Sequence, residues 1–305
     1  MIAIPAWLGQ RERGSRVLMK FIVALTLRAG RPTGRALLYP ICAYFLLFST
    51  RAREASRTYL GRALGRPPGW HEMFRHYLCF ASQILDRVPL LTGDLDSVEY
   101  TIEGLELLEA TAEGRRGALM LGAHHGSFEL MRVLAHAHCP VRVRVLMHEG
   151  NADKLGSVLD PLNRSVTTQV ITLGRPETML EVRDALAAGE IVGLLADRTV
   201  AGDRVRLCEF LGAAAPFPEG PYLLAAAVGV PVLLFSAARE GDGRYRIRIE
   251  LFAERIRIAR EDRDAVLQQE CERFARWLET RCLQEPYNWF NFYDFWPAAP
   301  TPARH

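Results

Sequence analysis

Ala118-Leu-Met-Leu-Gly-Ala-His-His-Gly-Ser-Phe-Glu129 decides how the rest of the chain is read. The apolar run Ala118–Leu121 has the character of a buried strand, and Phe128-Glu-Leu-Met-Arg-Val-Leu134 that of an amphipathic helix. Between them a short loop carries His124 and His125. A strand that ends in a histidine-bearing loop and opens a helix presents a base at the edge of a sheet. Glu129 follows His124 by five positions and lies one helical turn into the next element. A carboxylate on one imidazole nitrogen fixes the tautomer and raises the basicity of the other, which is how a general base for a hydroxyl is made.

Outward from this segment the hydrophobic pattern alternates. Strands are expected at 98–102, 117–123, 141–147, 168–173, 190–196, 230–238 and 244–252. Helices are expected at 104–112, 127–138, 151–160, 176–188, 219–228 and 262–284. Such alternation implies an α/β fold, with a mixed, largely parallel sheet flanked by helices. Arg244-Tyr-Arg-Ile-Arg-Ile-Glu250 alternates with period two, the pattern of an exposed or edge strand. Residues 16 to about 92 read as wholly helical, with breaks at Gly30-Arg-Pro32 and Gly65-Arg-Pro-Pro-Gly69. The expected organisation is therefore a helical segment over 1–92 and an α/β domain over 93–305.

The chain has 305 residues, 49% of them hydrophobic, enough for a sizeable core. Its net charge is only +3, and Lys20 and Lys154 are its only lysines. Guanidinium forks suit phosphate-bearing partners, though codon bias produces the same composition. Six cysteines (Cys42, Cys79, Cys139, Cys208, Cys271 and Cys282) show no paired ligand spacing, which points to reduced, buried thiols. His136, His138 and Cys139 lack a second ligand pair, so no metal site is expected. Val17–Leu27 and Ala36–Phe48 are apolar but shorter than the ~20 residues that span a bilayer. Arginines rim both: Arg11, Arg13 and Arg16, then Arg28, Arg31 and Arg35, then Arg51, Arg53 and Arg57. This describes either a helical hairpin in a membrane interface or a helical pair packed on the α/β domain.

Three further segments follow the histidine loop in order. Ile191-Val-Gly-Leu-Leu-Ala-Asp-Arg198 is a buried strand ending in an Asp-Arg pair. Phe217-Pro-Glu-Gly220 is a loop that leads into a helix, and Gly229-Val-Pro-Val-Leu-Leu-Phe235 is another apolar strand. With His124 and Glu129 as an HxxxxE dyad, this series resembles the four blocks of the lysophospholipid and glycerolipid acyltransferase superfamily. The resemblance covers 120–235 in detail. It is closest to the lipid A secondary (lauroyl or myristoyl) acyltransferase branch, which shares the glutamate and an aromatic ending like Pro286-Tyr-Asn-Trp-Phe-Asn-Phe-Tyr-Asp-Phe-Trp296.

The resemblance implies transfer of a fatty acyl group from acyl carrier protein or coenzyme A to a hydroxyl or amine of a lipid-like acceptor. His124 would be the general base and Glu129 the acid that charge-stabilises it, with no covalent acyl-enzyme, metal or cofactor. Arg198 and the backbone amides around Gly126 are the candidate oxyanion stabilisers, Asp197 with Arg198 ends its strand as a substrate-side or structural pair, Glu219 would either orient the acceptor or serve as a first-turn glutamate favoured by the helix dipole, and His125 would line the cleft. The location implied is peripheral or monotopic, at the cytoplasmic face of a bacterial inner membrane. A metal-dependent hydrolase built on His124, His125 and Glu129, and a catalytically silent lipid-binding protein, are the competing readings. The aromatic C-terminus is expected to pack across the sheet, to wall an acyl-chain tunnel, or to form an interfacial belt. Without a basic groove, it is not expected to stack on nucleic acid bases.

Overall fold

The computed structural model describes residues 16–296, apart from 92–93, 95–97, 115, 131–132, 134–140, 149–169, 200–201 and 242. The expected helix at 151–160 and Cys139 lie outside the described residues, as does most of the helix expected at 127–138. The chain begins with helices Arg16–Phe48 (α1), Thr50–Leu64 (α2) and Trp70–Leu91 (α3). The expected break at Gly30-Arg-Pro32 does not occur, and α1 runs through both Pro32 and Pro40. A proline removes one N–H and kinks a helix without necessarily ending it. Here the buried face of Leu38, Cys42 and Leu46 carries the helix past Pro40. The break falls at Ser49 instead. Arg53 donates through Nη1 to the carbonyls of Leu46 (2.9 Å) and Leu47 (2.8 Å), partnering groups that a helix end leaves open. The second expected break is present: Gly65 caps α2 with φ +66°, a conformation that glycine adopts without strain.

A seven-stranded sheet follows, built from Glu99–Glu103 (β1), Ala118–Gly126 (β2), Val143–His148 (β3), Val170–Leu173 (β4), Ile191–Leu195 (β5), Val232–Arg239 (β8) and Arg244–Ala253 (β9). Its spatial order is β1-β9-β8-β2-β5-β3-β4. Every pairing is parallel except β8 with β9. The helices of this region are Leu105–Glu113 (α4), Thr178–Ala187 (α5), Gly220–Val228 (α6) and Arg263–Gln284 (α7). This is the α/β architecture that the alternation predicts.

Two differences are physical. β9 lies inside the sheet, between β1 and β8, and is not an edge strand. Its polar row is ion-paired and still reached by solvent: Arg246 meets Glu240 (2.5 Å), and Arg248 meets Glu103 (3.2 Å) and Glu285 (2.7 Å). The other difference is an antiparallel hairpin of Val205–Phe210 (β6) and Ala213–Pro218 (β7), which holds Phe217 and Pro218 in a strand rather than a loop.

The two faces of the sheet bury different sets of residues. Alternation along β2 sends Leu119, Leu121 and Ala123 into one cluster and Ala118 and Met120 into the other. The first cluster also holds Cys42, Leu46, Tyr59, Leu60, Met73 and Tyr77 from the N-terminal helices, together with Phe274 and Leu278 of α7. The N-terminal helices and the sheet thus share one packed cluster.

Candidate active site

Sheet register brings the site together. β2 and β5 pair in parallel with Gly122 opposite Leu195, and the next backbone bond runs from Ala196 N to Gly122 O at 2.9 Å. Two residues further on, His124 at the end of β2 meets Asp197 just beyond β5. Both lie at the carboxyl ends of parallel strands, where open α/β sheets bind ligands. The Asp197 carboxylate accepts the His124 Nδ1–H (2.8 Å) through Oδ1 and the His124 backbone N–H (3.0 Å) through Oδ2. Oδ2 also accepts the indole N–H of Trp289 at 2.9 Å.

These contacts settle the tautomer. Asp197 is fully buried and ionised: burial pushes its carboxyl upward, but His124, Arg198 and the Trp289 N–H outweigh this and hold it far below the usual range. An ionised carboxylate only accepts, so Nδ1 of His124 carries the proton. Nε2 is left with its lone pair free. The His124 side chain is 31% exposed, so this nitrogen belongs to a ring that solvent or substrate can reach. Burial lowers the His124 pKa first, Arg198 and Arg87 push it the same way, and Asp197 opposes them; the net shift is downward. The imidazole is therefore neutral at neutral pH.

Three peptide groups lock the end of β2. Phe290 N donates to His124 O (2.9 Å), Gly126 N to Asn288 O (2.8 Å) and Ser127 N to Ala237 O (2.9 Å). The aromatic strap at 288–290 fills the place where the β2–β8 register shifts between Gly122 and Gly126. Gly126 has φ +78°, and a Cβ there would sit 1.9 Å from Ala237 O. The amides of Gly126 and Ser127 are thus committed to backbone acceptors, which corrects their assignment as oxyanion donors. The role of Gly126 is close backbone approach.

The remaining predicted residues take different places. Glu129 is buried in the helical turn that opens at Phe128, where Ser127 Oγ accepts the Leu130 N–H at 3.2 Å. The carboxylate on Nδ1 of His124 is that of Asp197, a partner that the local spacing does not reveal. Arg198 donates through Nη2 to Phe290 O (2.9 Å) and lies over the Tyr293 ring at 5.3 Å. His125 sits in β2, not in a loop lining the cleft. Its side chain is fully buried, with Nε2 3.9 Å from Glu285 beyond the end of α7, and burial holds its pKa at about 4. Glu219 is buried at the start of α6, where it accepts Arg206 Nε at 2.6 Å, and Arg206 in turn reaches Asp264. That places Glu219 in an ion-paired brace between β6 and α7.

The C-terminal aromatics are interior. Trp289, Phe290, Phe295 and Trp296 are buried, and Trp289 packs edge-on against Phe210 (5.2 Å), Phe295 (4.9 Å) and Tyr59 (4.9 Å). Of the expected placements, they take packing into the core. Sequence reasoning places Trp289 in this aromatic run but misses its bond to Asp197, because the two positions are linked only by the fold.

A comparison with curated proteins gave no match. The family model for bacterial lipid A biosynthesis acyltransferases matches residues 70–296, from the start of α3 to the last buried tryptophan, and the chain therefore belongs to that family of acyltransferases.

Proposed function

We infer that the enzyme moves a fatty acyl group from an acyl thioester, on acyl carrier protein or coenzyme A, to a hydroxyl or amine of a lipid-like acceptor. The observation that carries this reading is the His124–Asp197 pair, which leaves Nε2 unprotonated on a partly exposed ring. Nε2 takes the acceptor proton as the oxygen or nitrogen attacks the thioester carbonyl. Asp197 stabilises the imidazolium that forms. The tetrahedral oxyanion collapses, the carbon–sulfur bond breaks, and His124 returns the proton to the departing thiolate. Arg198 follows Asp197 directly in sequence and its charge lowers the His124 pKa, which supports it as the group that offsets the oxyanion charge. Glu129, the acid of the HxxxxE spacing, adds negative charge from the helix that follows and favours the imidazolium.

Membrane attachment through α1 belongs to the same reading. Tyr39, Tyr44, Leu47 and Phe48 are each more than half exposed on α1, opposite its packed face, and Arg51 and Arg57 are exposed just beyond. No helix among the described residues is long and apolar enough to cross a bilayer. An apolar stripe beside arginines suits shallow insertion with guanidinium groups at lipid phosphates. The proposed position is monotopic, at the cytoplasmic face of the inner membrane, where a lipid acceptor reaches His124 without crossing water.

The test is lipid mass spectrometry of a strain lacking the gene, complemented with wild type or with His124→Ala. A lipid species short of one acyl chain, restored by wild type and not by His124→Ala, is the expected result. An unchanged lipid profile, or full restoration by a stably expressed His124→Ala protein, would refute the reading.

A further inference from the structure

A chain of hydrogen bonds runs from the N-terminal helices to the catalytic histidine. Ser56 on α2 lies 2.8 Å from Nδ1 of His76 on α3, and His76 Nε2 lies 2.9 Å from the backbone oxygen of Trp289. Trp289 Nε1 reaches Asp197, and Asp197 reaches His124. Every proton in the series can be placed. A carbonyl oxygen only accepts, so Nε2 of His76 donates to Trp289. Burial holds the His76 pKa at about 4, so the ring is neutral and its Nδ1 accepts the Ser56 hydroxyl proton. The indole N–H donates to Asp197, and the His124 Nδ1–H donates to the other carboxylate oxygen.

The surroundings leave this chain one arrangement. Ser56, His76, Trp289 and Asp197 are each no more than 1% exposed. His76 stacks on Phe292 with centroids 4.6 Å apart, and Tyr59 of α2 donates to Pro286 O at 2.8 Å beside the Trp289 ring. Ser56 lies outside the stretch matched by the family model, which begins at residue 70. A helix outside that stretch is thus wired, through Nδ1, to the ring of the proposed base.

The geometry assigns Trp289 as a positioning residue of the acyl transfer: its indole N–H, anchored through His76 to Ser56, fixes the aim and charge of Asp197 and thereby sets the pH range in which His124 works. This rests on the reading of His124 as general base. The sign follows from the donors. Without the indole N–H, negative charge on Asp197 is less dispersed, so the carboxylate stabilises the imidazolium more strongly. The His124 pKa rises, and a smaller fraction of base is free at any given acidic pH.

The experiment is an NMR titration of the ¹³C-labelled histidine rings in the full-length protein, with the His124 resonance identified by its loss in His124→Ala. Trp289→Phe is expected to raise the His124 pKa by roughly half to one unit, the size of losing one charge-assisted hydrogen bond of partial effect. The acid limb of thiol release from an acyl-coenzyme A should move in the same direction. Trp296→Phe is the control, because its indole N–H serves Phe210 O (3.1 Å) in the same aromatic cluster and never reaches Asp197. It should lower the thermal midpoint without moving the titration. If folded Trp289→Phe titrates as wild type does, or if Trp296→Phe shifts His124 equally, the assignment is wrong. Should Trp289→Phe not fold, His76→Leu and His76→Gln decide. The leucine loses the donor to Trp289 O and should shift His124 upward, the glutamine keeps a donor and should restore it, and equal values for the pair refute the proposal. None of these titrations needs a substrate, so failure of the acyl-transfer reading shows separately, as turnover that survives His124→Ala.

Discussion

Replacing Asp197 with asparagine tests the catalytic geometry most directly, because the structure dictates which way the amide must turn. The carboxylate faces three donors: Nδ1–H of His124 at Oδ1, and both the His124 backbone N–H and the Trp289 indole N–H at Oδ2. An amide has one acceptor oxygen and one NH₂. If the NH₂ took the Oδ2 position, two buried donors would lose their acceptor, at about 1–3 kcal/mol each. If it took the Oδ1 position, a single partner would be affected, and the imidazole could answer by moving its proton to Nε2. The second arrangement wins. The variant then keeps its fold and its Trp289 contact while His124 presents an N–H where a lone pair is needed. Loss of a correctly protonated base costs on the order of 10²–10⁴ in rate.

The assay is thiol release from an acyl thioester in the presence of lipid acceptor, with circular dichroism and the thermal midpoint as measures of folding. A fall in kcat of at least about 10² with a near-native midpoint is expected. Folded Asp197→Asn protein that works within about tenfold of wild type would show that Asp197 does not orient the base. The carboxylate that matters would then be sought at Glu129.

Other measurements follow from the same structure. Glu129→Gln should reduce turnover, by less than Asp197→Asn does, because the bonded partner of Nδ1 remains; an equal or larger loss would give Glu129 the main role. Activity should fall in acid with a midpoint below the ordinary histidine value of 6.5, since burial and Arg198 lower the His124 pKa, and a limb above 6.5 would contradict this balance. His76 and His125 are each held at about 4, below an unfolded value of 6.5. Their neutral burial contributes stability that is complete above about pH 6.5 and is lost as the pH falls toward 4, by about 3 kcal/mol each. Denaturant midpoints that stay flat from pH 7 to 4 would rule this out. Serine at Tyr44, Leu47 and Phe48 together should abolish flotation with anionic vesicles while leaving the fold intact, because each of these side chains is more than half exposed; undiminished flotation would move the anchor off this face.

The centre of the sheet was legible because β2, β5 and β8 are short apolar runs, and β9 because its residues alternate with period two. The hairpin of β6 and β7 was not, since its turn is Leu211-Gly212, with φ +51° and +73°, and lacks the Asn-Gly or Asp-Gly signal. The arginine row of β9 does not reveal its ion pairs, because its partners, Glu103, Glu240 and Glu285, are spread along the chain and gathered only by the fold. The site shows the same division. The proposed base is visible in the local HxxxxE spacing. Its bonded carboxylate is not, because adjacency of β2 and β5 fixes the His124–Asp197 contact across 73 positions. His125 shows how alternation decides roles. One residue along a strand turns the side chain to the opposite face, where it meets α7 and is sealed from solvent.

The pairing with Asp197 resolves a conflict built into a partly buried base of the kind proposed for His124. Exclusion of water strengthens the electrostatics of transfer, but it also penalises the imidazolium that must form when His124 accepts a proton. Burial, Arg198 and Arg87 all lower the His124 pKa, which keeps the base unprotonated yet makes it weak. An ionised carboxylate at 2.8 Å offsets that weakness at the moment of proton transfer, and it can stay ionised in the interior only because it has donors of its own. Two come from His124 and one from Trp289. The third is the one that the protein can set independently of the base. Its position depends on the aromatic strap, on His76 and on α2, so in the proposed mechanism the N-terminal helices support the base as well as any contact with lipid. Removal of α2 should therefore impair turnover even on a water-soluble acceptor, where loss of a membrane anchor alone would not.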